Sequence, residues 1–264
     1  MTAARLHVMT ATENARAVIL RRGPTRQVAS LLWNRASDEI TLGQWLKGRI
    51  YEHRSDLSPD GRHMIYFAGT SASIREGCWH TVVSRAPWLR ALVFLPQGWT
   101  WHGGGAFTAQ GRVFLNGGGT LPQNEEGLLP APQDAYPHGT DGFHMGGLFA
   151  AMMARRGWRR TAGDRYETQL ETALPHGWTL ELSFRVGARN RSIISNAYAL
   201  THPVHGRHPM EGWEWAEPWK NGLQFAKAGA LHEAAITRTG LDATRQIVDL
   251  TPMAFENIKA PYDG

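Results

Sequence analysis

The stretch Ser55-Asp56-Leu57-Ser58-Pro59-Asp60-Gly61-Arg62-His63-Met64-Ile65-Tyr66-Phe67-Ala68-Gly69 decides how the chain is read. Pro59 presets φ at the first corner of a tight turn and Gly61 accepts a positive φ, so Ser58-Pro59-Asp60-Gly61 reverses the backbone. Arg62 to Ala68 then carry the aromatic and β-branched content that fits a pleated surface. The segment is half of a β-hairpin.

The same punctuation returns downstream. Thr108-Ala109-Gln110-Gly111-Arg112-Val113-Phe114-Leu115 repeats it with Gly111 in the place of Gly61, and Pro175-His176-Gly177 and Lys220-Asn221-Gly222 follow. The turn glycines 61, 111, 177 and 222 are spaced by 50, 66 and 45 residues. The longest gap holds an insertion: Asn116 to Gly142, rich in Gly and Pro, reads as a long surface loop. Met145, Leu148, Phe149, Met152 and Met153 after it recur at helical spacing and end at Arg155-Arg156-Gly157, which predicts a short helix with a core-facing stripe.

Strand-like runs fall between these turns. Leu6 to Val8, Ala17 to Leu20, Val28 to Trp33 and Ile40 to Leu46 make a first antiparallel group; Met64 to Phe67, Trp79 to Ser84 and Leu89 to Leu95 build a second. Trp178-Thr179-Leu180-Glu181-Leu182-Ser183-Phe184 alternates apolar with polar as a half-buried strand does, and Asn221-Gly222 is a strong hairpin signal. A period of ~40–50 residues with about four strands is the signature of propeller blades.

Ser58-Pro59-Asp60-Gly61 with the strand after it, and Ser84-Arg85-Ala86-Pro87-Trp88-Leu89-Arg90-Ala91-Leu92 as a third-to-fourth strand connection, resemble the blades of β-propeller repeat proteins of the WD-repeat and TolB type. The resemblance implies an all-β chain folded as a single five-bladed β-propeller of four-stranded antiparallel blades. The blades fall at about 5–48, 49–96, 97–157, 158–205 and 206–255, with the loop and helix inserted around 116–156. One chain end, Thr251 to Pro261 or the N-terminal strand, would complete a blade and remove an exposed edge. A two-sheet sandwich is the alternative fold.

At 264 residues and 42% hydrophobic content the chain can bury a full core, and its 29 glycines and 14 prolines are spread as in a strand-and-turn protein. Cys78 stands alone, so no intrachain disulfide or Cys-rich zinc framework is possible. Ala17-Val18-Ile19-Leu20 is too short for a signal h-region, and no apolar run reaches the ~18 residues of a membrane helix. A cytoplasmic protein without membrane contact is the expectation. The net charge of +5 permits an acidic partner, but the basic residues are scattered and carry no recognition motif, so nucleic acid is not expected.

In a blade the Gly61-type turns and the longer loops lie on opposite faces. The loop-rich face would gather residues 69–79, 96–105, 116–144 and 201–215, with Trp99, Trp101, His102, Asp134, His138, Asp141, His144, Trp213 and Trp215 as candidate binding residues. No catalytic residue and no cofactor is expected. His202, His205 and His208 are spaced as a possible zinc or copper set, but Pro203, Gly206 and Pro209 interrupt them, and a polar linker is the expected reading. The function expected is a non-enzymatic interaction scaffold, monomeric or part of a hetero-complex, taking a protein partner or a glycan. The alternative is a carbohydrate-binding or glycoside-cleaving propeller, in which two carboxylates and an exposed tryptophan would face one pocket.

Overall fold

The computed structural model describes residues 4–23, 26–70, 79–98, 100, 102–137, 145–164, 166–187 and 194–262. Over these the chain is all-β with a single α-helix, and it divides into two compact units. The large unit is Val8–Arg156 with Ala254–Gly264; the small unit is Met1–His7 with Gly157–Met253. No helix among the described residues is long and apolar enough to cross a membrane.

The first sheet is built from β1 (Arg5–Thr10), β2 (Arg16–Arg22), β3 (Gln27–Asn34), β4 (Glu39–Ile50), β5 (Asp56–Leu57), β6 (His63–Thr70), β7 (Trp79–Arg85) and β8 (Val93–Gln97). They pair in the order β1-β2-β3-β4-β6-β7-β8, and β5 also pairs with β6. The sequence separates 5–48 from 49–96, but the structure joins them. Gly48, Arg49 and Ile50 at the end of β4 pair with Thr70, Gly69 and Ala68 of β6. Gly48 makes the joint possible, since a Cβ there would sit 2.3 Å from the Gly69 carbonyl oxygen.

β6 is buried from His63 to Gly69, on both faces. Met64, Tyr66 and Ala68 pack with Met9, Val18, Leu20 and Val28 on one side. Ile65 packs with Val83, Val93, Phe107 and Val113 on the other. A buried side chain of this size contributes ~1.5–3 kcal/mol, so the strand read as half a hairpin is the spine of the large unit. Beyond it β9 (Gly105–Phe107) and β10 (Val113–Leu115) form the second expected hairpin. The helix α1 (Met145–Arg155) follows, burying Leu148, Phe149, Met152 and Met153 as their spacing predicts.

Arg155 and Arg156, at the end of α1, close on Asp56. The Arg155 guanidinium donates to both carboxylate oxygens at 2.8 and 2.9 Å and Arg156 to Oδ1 at 2.9 Å, while the Phe107 N–H donates to Oδ2 at 2.8 Å. All three charged side chains are more than nine-tenths buried.

In the small unit, β11 (Arg159–Gly163), β12 (Glu167–Ala173), β13 (Thr179–Val186), β14 (Ile194–His202) and β15 (Gly206–Met210) form an antiparallel meander. Its last strand, β15, lies where the sequence suggests a loop, because its side chains are mostly exposed and lack the apolar alternation that marks a strand. The last group is β16 (Trp213–Trp219), β17 (Gly222–Lys227), β18 (Ala230–Thr237), β19 (Gly240–Leu241) and β20 (Arg245–Asp249).

Two turns of this group differ from their sequence reading. Trp219 pairs with Gly222, so the first turn is Lys220-Asn221, with Lys220 at φ +50°, and Gly222 already belongs to β17. Glycine is needed there because a Cβ would meet the Ala234 carbonyl oxygen at 2.1 Å. The primed-type turn falls instead at Ala228-Gly229, with φ of +52° and +82°, between the paired Lys227 and Ala230. Residues 251–262 form no strand.

Candidate functional site

The turn at Ser58 is fixed by its own side chains. The Ser58 hydroxyl accepts the N–H groups of Arg62 at 3.1 Å and His63 at 2.9 Å and donates to Asp60 Oδ1 at 2.6 Å; Gly61 N–H closes on the Ser58 carbonyl at 2.9 Å. Gly61 holds φ at +70°. The second hairpin repeats the device: the Thr108 hydroxyl accepts the Arg112 N–H at 3.2 Å, and Gly111 N–H donates to the Thr108 carbonyl at 3.0 Å.

Both turns line one cleft of about 650 Å³ in the large unit. Glu126, carried by the loop after β10, is one of its charged lining residues. Asn124 staples that loop, its side chain accepting the Leu128 N–H at 2.9 Å and donating to the Leu128 carbonyl at 3.1 Å. Glu126 Oε1 accepts from Arg85 Nε at 2.7 Å and from a second nitrogen of the same guanidinium, and Oε2 lies 3.0 Å from His63 Nε2. The hydrogen bonds from Arg85, reinforced by His63, outweigh desolvation and hold the Glu126 carboxyl below its ordinary pKa.

Asp60 is shifted the same way. Burial works against its charge, but the Ser58 hydroxyl, the Arg62 N–H and the nearby charges of His63 and Arg62 prevail.

Two aromatic side chains complete the lining. Trp88 is half-buried on the loop after β7, which is pinned by Gln44, whose Oε1 accepts the N–H groups of Leu89 at 2.8 Å and Arg90 at 3.0 Å. Tyr262 arrives on the C-terminal tail, which is anchored by Phe255 against Trp45 and by the Ile258 carbonyl on Gln44. The Tyr262 hydroxyl donates to the Arg90 carbonyl at 2.7 Å, and its ring lies 4.7 Å from the Arg85 guanidinium. A flat aromatic surface beside planar, bidentate polar groups is the chemistry that holds hydroxyl-rich ligands by stacking and directed hydrogen bonds.

Of the expected binding residues, the described ones do not line this cleft. Trp99, Trp101, His138, Asp141 and His144 lie outside the described residues. His102 is half-buried against Gly117, and its carbonyl accepts from Arg54 at 3.1 Å; Asp134 is exposed. Trp213 and Trp215 are buried in the small unit, Trp213 stacked on Phe225 at 4.2 Å, so both serve packing there.

His202, His205 and His208 sit on the β14–β15 hairpin and ring the indole of Trp178, with centroids 5.0, 5.7 and 5.7 Å away. His202 Nδ1 accepts the N–H of Val204, and Nε2 lies 3.2 Å from the His176 carbonyl. Both of its nitrogens are committed to backbone. No group of three or more potential metal ligands is assembled among the described residues.

Sequence reading missed the cleft because its members are far apart: Glu126 is 63 residues from His63 and 41 from Arg85. The available signal is the repeated hydroxyl-x-x-Gly-Arg turn, Ser58 to Arg62 and Thr108 to Arg112, both of which contribute residues to the cleft.

No family model matches the chain, and no curated protein matches it. Among solved structures it is similar to an uncharacterized protein from Listeria monocytogenes (TM-score 0.29, 8% identity, 93% of this chain and 66% of that one). A structure from a study of two prolyl endopeptidases gives TM-score 0.30 and 7% identity over 91% of this chain and 35% of that one. A putative 6-phosphogluconolactonase from Bacteroides uniformis gives 0.24 and 11% over 90% and 82%. The chain spans less than two thirds of the first two, and at such TM-scores these likenesses carry no argument.

Proposed function

We propose that the protein is a non-enzymatic ligand-binding scaffold of five-bladed β-propeller type whose cleft at the Ser58 turn takes a saccharide. The propeller reading is supported by the succession of sheets β1–β8, β9–β10, β11–β15 and β16–β20 and by the recurring Gly61 and Gly111 turns. One observation carries the ligand reading: Trp88 and Tyr262 line the same cleft as Asp60 and Glu126. An aromatic face and carboxylates lining one cleft are what a saccharide site calls for and a broad protein-docking surface does not.

Binding is favoured over cleavage by the charge state of those carboxylates. Glycoside hydrolysis needs one carboxyl kept protonated to donate to the leaving oxygen. Glu126 and Asp60 are both shifted downward, toward the ionised form.

A thermal-shift screen of the full chain against neutral and acidic oligosaccharides tests the reading. A dose-dependent rise in Tm with at least one of them is expected, because a ligand that binds only the folded state stabilises it; a flat response across the panel removes the saccharide assignment.

A further inference from the structure

We propose that the saccharide taken by the cleft is an acidic one, its carboxylate gripped by Arg16 and Arg62; this rests on the saccharide reading and names the class of sugar. The charged groups of the lining divide into those already satisfied and those that are not. Glu126 is ion-paired with Arg85 and lies within hydrogen-bond distance of the His63 ring, and Arg85 is matched by Glu126. Asp60 takes its hydrogen bonds from Ser58 and the Arg62 backbone.

Arg16 and Arg62 are differently placed. The Arg16 side chain lies across Gly61, where an added Cβ would come within 2.9 Å of its Cβ and 3.2 Å of its Cδ. Its guanidinium has no hydrogen bond or ion pair among the described residues, while its backbone N–H is held by Asn14 at 2.9 Å. Arg62 is 74% exposed, and its Nε forms only a loose, solvent-exposed ion pair with Asp60 Oδ2 at 3.6 Å, too long for a hydrogen bond, so the fork's donors stay open to a ligand. Two guanidinium forks with spare donors thus flank one turn at the cleft.

A guanidinium fork matches a carboxylate two bonds at a time. A neutral sugar would leave both forks to water. Glu13, the remaining acid of the lining, is exposed and pairs with neither arginine among the described residues, so its field is damped by solvent. The net charge of +5 also favours encounter with an anion.

Isothermal titration of the full chain with galacturonate and glucuronate trisaccharides, and with the matching galactose and glucose trisaccharides, tests this. The acidic sugars are expected to bind roughly tenfold more tightly, and the advantage should shrink as salt rises. The double variant Arg16→Gln/Arg62→Gln should lose that advantage, binding acidic and neutral sugars about equally, with its Tm little changed. Equal affinity for the acidic and neutral sugars overturns the acidic class and leaves the saccharide reading standing. A preference that survives in the double variant overturns the assignment to Arg16 and Arg62. If no sugar of either kind binds, the saccharide reading falls and the acidic class with it.

Discussion

Asp56 is held by two arginines and Glu126 by an arginine and a histidine, and the difference between them lies in what surrounds the cluster. Asp56 is fully buried and bonded to Arg155, Arg156 and the Phe107 N–H, which ties the end of α1 to β5 and β9. Glu126 keeps 19% of its side chain exposed and Arg85 46%, at the edge of a cleft. The first cluster has no water to fall back on and acts as a lock. The second can exchange a protein partner for solvent or ligand at small cost, which suits a binding site.

Breaking the lock should have the largest effect. Asp56→Asn keeps the shape and leaves two buried guanidinium groups without a counter-charge, so a loss of about 3–5 kcal/mol is expected, read as a lower denaturation midpoint in urea. Glu126→Gln should cost no more than ~1 kcal/mol, the range of exposed ion pairs. If the two variants lose comparable stability, the contrast between the clusters does not hold.

The two repeated turns give a finer comparison. Gly61 and Gly111 share φ near +70°, which costs an L-residue about 1–2 kcal/mol. A Cβ on Gly61 also meets Arg16 at 2.9 Å and Ala11 at 3.3 Å, whereas none meets anything within 4 Å at Gly111. Gly61→Ala is therefore expected to lower the Tm more than Gly111→Ala. Equal losses would leave strain as the whole effect.

The pH dependence is smaller still. The folded protein holds Glu126 and Asp60 below their ordinary pKa values, 4.5 and 3.8, so their stabilisation is complete at neutral pH and fades as pH falls below about 4.5. Unfolding free energies from pH 7 to pH 3 should show a shallower acid decline in Glu126→Gln than in the native chain.

Much of the fold is legible in the sequence. The alternation of Thr179 to Phe184, the Gly61 and Gly111 turns and the helical spacing of Leu148 to Met153 all report local physics, and the structure has β13, both hairpins and α1 there. What escapes is set by distant partners. Gly222 reads as a turn residue because nothing nearby reveals the Ala234 carbonyl beside it, and β15 lacks a pattern because its side chains face solvent.

The site was legible only as punctuation. Ser58-Pro59-Asp60-Gly61 marks where the chain reverses, but the cleft it lines also needs Glu126 and Tyr262, which arrive from elsewhere, and no spacing encodes that. Trp213 and Trp215 illustrate the converse, since aromatic content suggested a binding surface and packing absorbed both.

The most direct test of the central claim is the affinity of Trp88→Ala for the oligosaccharide that raises the native Tm most. Trp88 is half-buried at the cleft, so its removal should weaken binding about tenfold or more while the Tm without ligand stays close to native. Unchanged affinity in a folded Trp88→Ala variant would contradict the placement of the binding site at the Ser58 turn.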